Sequence, residues 1–399
     1  MYLGWRLCAN LDITAYDTPT ISNNGQLGYC FQRNHRLVNA NGSIGNWDVS
    51  NLNSNWPSVF QEASRFNTDI STWNPPSSVG LGSFLRDCKS FNQPVGTWNI
   101  SVTDLTSTFQ GAEKFNQPLT NWTLPASLSA SFRNTKSFNS FPGTPSGTLT
   151  SLYYTFQGAD VFNQDISSWD VSGVTNFTAC FQDADAFNQP IGSWTINTTP
   201  GANVNMEGML YRTPAFNQNI SSWDMSEVSK ISQFGAYNYA NGFSAPGITT
   251  DKITSLQLVS RNTNSNSSWF TSIDWSNVTT IYYAFEGNET LNQDFGDVDI
   301  SSLTNATAAF FGNDAFSTSN ITSTVTKWAI KVYNGNGNTG VNAASMCSGR
   351  TFDNSQTSDT SGTAFPWPAG SGWSNAGDAL DWLASATDGN WTGVTTGLT

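Results

Sequence analysis

The chain has 399 residues and a formal net charge of −13, from 16 basic and 29 acidic side chains. Only 11% of residues are charged, against about 25% in an average globular domain, while 13% are aromatic. The aromatic content excludes global disorder, and an acidic balance without a basic stripe excludes nucleic-acid binding and disfavours an anionic membrane surface.

Asn fills 44 positions and Ser with Thr 96, so the surface is expected to be neutral-polar rather than ionic. No apolar run is long enough for a transmembrane helix, so no membrane insertion is expected. The opening residues MYLGWRLCANLDITAYD carry no charged stretch followed by an apolar one, so no signal peptide is visible in this chain. The five cysteines, Cys8, Cys30, Cys88, Cys180 and Cys347, are odd in number and widely spaced. They predict neither a zinc site nor a disulfide scaffold. A single histidine, His35, makes a Ser-His or Cys-His couple unattractive. No cofactor and no metal are expected.

Internal repetition dominates the sequence. FQGAEKFNQPLTNW runs from Phe109 to Trp122, FQGADVFNQDISSW from Phe156 to Trp169, and FQDADAFNQPIGSW from Phe181 to Trp194. Taken in chain order, a first copy is expected near Trp5, with Cys8 and Leu11 in the matching places. Later anchors fall at Phe31, Phe60, Leu85, Phe109, Phe132, Phe156, Phe181, Leu210, Phe234, Leu258, Phe285 and Phe310, with a degenerate copy at Met346–Phe352. The period is about 25 residues, too short for one unit to bury its own apolar face, so neighbouring units must share a core.

Within a unit, the stretch before the anchor, such as Val171–Phe181 or Val278–Phe285, is rich in Val, Thr, Tyr and Phe and predicts a strand. FxxAxxFN has the spacing of one helical turn. IxxW predicts a short extended segment, entered through a turn at Pro94, Pro118 or Pro190. The recurring Asn67, Asn92, Asn116, Asn139, Asn163, Asn188, Asn217 and Asn292 predict either a buried ladder between units or a turn residue at each corner. Trp47, Trp73, Trp98, Trp122, Trp169, Trp194, Trp223 and Trp275 are in phase with the core and are expected to be buried rather than to form an exposed platform for sugar rings. The cysteines are expected to be small buried thiols. Asp48, Asp170 and Asp224 after the Trp, and Asp69, Asp165 and Asp294 in the FNxD or FNQD place, are expected on a solvated turn face.

From about Lys327 the repeat fades. Gly335–Gly340 matches GxGxxG, and the preceding WAIKVY has strand character, but VNAASMCSGRTFDNS after it is a poor helix, so a turn-forming loop is expected. Residues 353–372, rich in Ser, Thr, Gly and Pro, predict a linker or extended arm. Ser374–Gly389 predicts a short helix capped by Ser374 or Asn375, acting as a terminal cap or docking element.

The phrases FNQDISSWDVSGVTNFTACF (Phe162–Phe181) and FNQNISSWDMSEVSKISQF (Phe216–Phe234) resemble the BspA-like surface-protein repeat, also described from mycoplasma surface lipoproteins and grouped with leucine-rich repeats. The likeness covers roughly residues 5–325. It departs at the residue before the anchor, usually Met in that family and here Cys30, Val59, Phe84, Thr108, Ser131, Thr155 or Cys180.

Together these readings predict a β-rich solenoid, a leucine-rich-repeat-like array of about 12 to 14 coils. Residues 1–328 would form the solenoid and 329–399 a degenerate coil, linker and C-terminal module. The resemblance implies a non-catalytic extracellular surface protein for adhesion or recognition, on a cell surface or virion exterior. Its partner would be a host or cell-surface protein, a glycan, or copies of itself. The alternative is a structural component of a virion or extracellular filament. A glycan-active enzyme is a remote third reading.

Overall fold

The computed structural model describes residues 6–8, 13, 25–39, 41–236, 252–263, 270–271, 273–348, 350–385 and 391. The copy expected at Trp5 and Leu11 lies outside these residues, as does the end of the expected helix beyond Ser385. The chain divides into two compact units, Met1–Thr195 and Ile196–Thr399.

The repeat is real, but its backbone is not that of a β-rich solenoid. Among the described residues there are six short strands. In the first unit, β1 (Ser78–Gly80), β2 (Ile100–Asp104), β3 (Trp122–Leu124) and β4 (Thr144–Pro145) pair in parallel in that order. In the second, β5 (Val204–Asn205) pairs in parallel with β6 (Val228–Lys230). The stretches expected as strands, such as Val171–Phe181, are chains of turns in which strand-type pairing shrinks to isolated bridges such as Ser151 with Asn176.

A regular alternation replaces the strand. Two residues before each anchor of the first unit, the backbone is left-handed: Tyr29, Ser58, Ser83, Ser107, Ala130, Tyr154 and Ala179. Two residues after it, Arg33, Glu62, Asp87, Gly111, Asn134, Gly158 and Asp183 are left-handed as well. Ordinary residues rarely adopt this conformation, because Cβ crowds the following carbonyl. The alternation sends successive N–H groups in different directions. Ser58, Phe60 and Glu62 donate to the carbonyls of Gly82, Phe84 and Arg86 in the next repeat, at 2.9, 3.0 and 2.7 Å. The N–H groups between and after them turn back, Gln61 to Ser58 at 3.3 Å and Ala63 to Phe60 at 2.8 Å. Backbone groups are thus satisfied with a parallel ladder's reach but without extended residues.

The FxxAxxFN segment is a pair of such turns rather than a helix, with Phe66 N–H donating to the Ala63 carbonyl at 3.0 Å. IxxW also turns instead of extending. Trp98 N–H donates to Val95 at 3.1 Å, and Val95–Thr97 is a short 3-10 turn.

Stacked rings fill the interior. Phe109, Phe132 and Phe156 stack at 5.6 and 5.4 Å between centroids. Phe91, Phe115, Phe138, Phe162 and Phe187 stack at 6.2, 5.8, 5.9 and 6.1 Å. Trp73, Trp98 and Trp122 form a third column, at 6.4 and 5.9 Å. The residue before the anchor is buried, and its hydroxyl is used. Thr108, Ser131 and Thr155 donate to the carbonyls of Leu81, Leu105 and Leu128 one repeat back, at 2.6, 3.1 and 2.9 Å. These bonds account for polar residues at a buried place in the repeat.

In the second unit the hydrogen bonds reassign two anchors. Leu258 is left-handed and Ser260 donates to Ala284 across the ladder, so Ser260 takes the anchor place. Gln233 is left-handed and Gly235 donates to Val259, so Gly235 takes the place expected for Phe234. Phe234 is buried one position earlier.

After Phe310 the repeat is interrupted rather than ended. Helix α1 (Thr318–Tyr333) is inserted, and the ladder then resumes, with Phe310 N–H donating to Met346 at 2.9 Å. The residues WAIKVY are therefore the end of a helix, not a strand. Ser317 caps α1 by accepting from the Asn320 N–H at 3.2 Å. Ile321, Val325, Trp328, Ala329 and Val332 form its buried stripe. Residues 357–365 fold into a hairpin, with Phe365 N–H donating to Thr357 at 3.0 Å. Helix α2 (Ala376–Ala384), capped by Asn375, packs on α1 through Tyr333, Trp373 and Trp382.

Trp98→Ala removes the middle indole of a buried stack and is expected to cost about 3–5 kcal/mol, read as a lower urea midpoint. An unchanged midpoint would remove the indole from the core. Gly111→Ala is expected to destabilise by about 1 kcal/mol or more, because Gly111 has φ +70° and an added Cβ would meet the Asp87 carboxylate. The converse change Ser107→Gly, at φ 56°, is expected to be neutral or stabilising in the same assay.

Candidate interaction surface

The recurrent residues sort by depth. All eight recurring tryptophans are buried, none more than 5% exposed, so they offer no platform for a ligand. Their indole N–H groups tie neighbouring repeats together, Trp73 to Ile44, Trp98 to Ile70 and Trp122 to Val95, at 2.9, 3.2 and 3.0 Å.

The recurring asparagines do form a ladder, but at the surface rather than buried. The Asn92 N–H donates to the Asn67 side-chain oxygen at 2.9 Å, and the contact repeats from Asn116 to Asn92, Asn139 to Asn116, Asn163 to Asn139 and Asn188 to Asn163. Gln93, Gln117, Gln164 and Gln189 add a second bond to the same oxygens. In the second unit Asn292 accepts from Ser317 at 2.9 Å. The FNQ motif is thus a device for holding repeats in register.

The aspartates are turn formers. Hydrogen bonds from Ser50 and Ser172 hold the Asp48 and Asp170 carboxyls below the usual range, and Ser167 does so for Asp165. Asp69 and Asp224 accept from Ser71 and Ser226. Among the described residues no group of His, Cys, Asp and Glu is arranged to hold a metal ion. Cys88, Cys180 and Cys347 are buried, and burial pushes each thiol well up, away from the nucleophilic thiolate. Cys30 is also buried. Cys8 is exposed, against the expectation of a uniformly buried set.

The second unit carries a cleft beside α1. It is about 300 Å³ in volume and lies between α1 and the hairpin, lined by Asp297, Lys327, Ile330, Lys331, Asp359 and Phe365. Its cations are already engaged. Lys327 Nζ meets Asp297, Asp359 and Asp294 at 2.9, 3.1 and 3.2 Å. Burial alone would lower the Lys327 pKa, but these carboxylates raise it above its ordinary value. Lys331 donates to the backbone carbonyls of Asp297 and Val298, both at 2.9 Å, and burial lowers its pKa. The cleft therefore works as a clasp that fixes the hairpin to α1, a role the sequence signalled only as a Ser- and Gly-rich stretch.

Asp359 is the titrating element of that clasp. Hydrogen bonding from Ser361, helped by Lys327 and opposed by burial, lowers its carboxyl from 3.8 to about 2. A depressed carboxylate stabilises the fold above its unfolded value, and that contribution disappears as pH falls from about 4 to about 2. Asp359→Asn is expected to lower the urea midpoint at pH 7, with the gap to wild type closing near pH 2. A pH-independent gap would show that the charge is not what holds the hairpin.

Among the described residues no helix is long and apolar enough to cross a membrane. The family model described as "Mycoplasma protein of unknown function, DUF285" matches three consecutive segments, residues 25–144, 126–249 and 247–334. No curated protein and no solved structure matches the chain. The three matches span the greater part of the sequence and coincide with the turn-ladder repeats, and the chain belongs to this DUF285 repeat family of Mycoplasma proteins.

Proposed function

We propose that the chain is a non-catalytic, extracellular surface repeat protein that recognises a partner through its outward-facing columns. The observation that carries this reading is the division of labour within each repeat. Phe, Trp, Asn and Asp at the recurrent positions are all consumed by stacking, register and turns. The outward places between them vary, as in the column Pro57, Gly82, Thr106, Ser129, Tyr153 and Thr178, each three places before its anchor. A fixed scaffold with variable exposed positions is how repeat arrays build extended recognition surfaces. The likeness to BspA-like surface proteins supports the same reading, as does a weakly charged surface that will not attract partners indiscriminately.

The test is binding of the fluorescently labelled full chain to intact cells and to a glycan array. Saturable binding that is lost on changing outward residues such as Tyr153 supports recognition. Absence of saturable binding, with the chain instead found in regular copies along a filament or particle by electron microscopy, would replace it with a structural role. Turnover of any glycan on the array, lost on changing one carboxylate, would make the protein an enzyme and overturn the reading.

A further inference from the structure

Among the described residues the same four-residue constellation occurs once in each unit, with one difference. In the second unit Arg261 lies over the Tyr283 ring, 5.0 Å from its centroid, and Tyr283 meets Tyr282 edge-on at 4.4 Å. Glu286 forms an ion pair with Arg261. In the first unit Arg133 lies over Tyr154 at 4.8 Å, and Tyr154 meets Tyr153 edge-on at 4.3 Å. The place of Glu286, immediately after the next anchor, is taken there by Gln157.

Arg133 is thereby left without an acid. It is half-buried, and the other half-buried arginines, Arg86, Arg261 and Arg350, are paired with Asp87, Glu286 and Asp314. Its neighbours along the ladder are Asn134, Gln157 and Gly158, all neutral. Among the described residues its Nε is buried without a hydrogen-bond partner, as are those of Arg86, Arg261 and Arg350, but of these four Arg133 alone has no carboxylate paired to it, and the Gln157 side-chain oxygen beside it is also buried without a partner. In a chain where acids outnumber bases 29 to 16, a half-buried guanidinium facing only neutral groups is an unfilled demand for a carboxylate.

Beside it, Tyr153 is 41% exposed, one of few large apolar side chains so placed. Next to it lie hydroxyls: Ser129 contacts Ser151 at 3.2 Å and Ser127 at 3.1 Å. An aromatic ring takes the C–H face of a pyranose, the serine hydroxyls meet its rim, and a planar guanidinium takes a carboxylate in two bonds. The geometry points to a binding site for an acidic sugar, a uronate or similar carboxylated pyranose, formed by Arg133, Tyr154, Tyr153 and the Ser127–Ser129–Ser151 hydroxyls. This site rests on, and gives a substrate class to, the surface-recognition reading. An acidic peptide satisfies the arginine equally but makes no use of the exposed ring and hydroxyls.

The test titrates the full chain with methyl β-glucuronide, methyl β-glucoside and a tetraglutamate peptide, followed by saturation-transfer NMR. The glucuronide is expected to bind at least tenfold more tightly than the glucoside. Gln157→Glu installs the pair the second unit already carries, so it keeps the fold. It is expected to weaken glucuronide binding at least tenfold, as is Arg133→Gln, and Tyr153→Ala should weaken it severalfold. Equal binding of glucuronide and glucoside, or glucuronide binding indifferent to Gln157→Glu, would overturn the site. Tetraglutamate binding as tightly as the glucuronide, with no effect of Tyr153→Ala, would overturn the sugar assignment. If the glucuronide does not bind while the whole chain still binds cells, this site falls and the recognition reading stands; if neither binds, both fall.

Discussion

The structure depends on a backbone alternation. A left-handed residue two places before and two places after each anchor sends every second N–H to the next repeat and folds the others back on their own. A strand would spend all its hydrogen bonds on its neighbours and hold its side chains strictly alternate. The turn ladder instead buries two adjacent residues, the anchor and the one before it, as at Val59–Phe60 and Cys180–Phe181. Two inward residues in a row let a repeat of about 25 residues supply two phenylalanines and an indole to the interior. The stacking distances of 5.4 to 6.4 Å follow from the ladder, because rings attached to hydrogen-bonded backbones have little freedom to separate further.

That backbone carries a strain cost, and the molecule meets it collectively. Most of its left-handed residues are not glycine. Each is disfavoured alone, yet those flanking the anchors of the first unit donate across the ladder, as Ser58 and Glu62 do to Gly82 and Arg86, on either side of a buried ring or leucine. The side chains reinforce the same register. Indole N–H groups reach carbonyls one repeat back, asparagine oxygens accept from the following asparagine, and buried hydroxyls bond the carbonyls of the preceding turn. Interactions between neighbours therefore dominate, as expected for a repeat array. A change at one position is felt by the repeats on either side.

Function is left to what the scaffold does not use. Polar residues that recur are occupied, so recurrence marks structure here, and exceptions mark candidates for recognition. Lys327 is an exception in the sequence, but its three carboxylate partners spend it on clasping the hairpin. Arg133 is an exception that its neighbours leave unspent. Arg261 meets Glu286 where Arg133 has Gln157 at the equivalent place, so one exchange of glutamate for glutamine separates an ion pair from a cation without an acid.

Much was legible in the amino acids alone. The period, the anchors up to Leu210, the buried tryptophans and the helix capped by Asn375 all follow from spacing, size and side-chain chemistry, and the asparagine ladder is one of two readings they offer, though as a buried one. What the sequence hid follows from the same cause in each case. Val, Thr, Tyr and Phe favour strands locally, but hydrogen bonding between repeats imposed left-handed turns on Ala130, Tyr154 and Ala179, a conformation none of them signals. Helix α1 is rich in Thr, Val and Ile, poor helix formers, and is held by its buried stripe and by α2. The anchors at Gly235 and Ser260 became visible only through their bonds across the ladder. Sequence determined which residues are interior and how often they recur, because burial depends on size and polarity. Tertiary structure decided the backbone's handedness and which charges are left unpaired, because both depend on what the adjacent repeat presents.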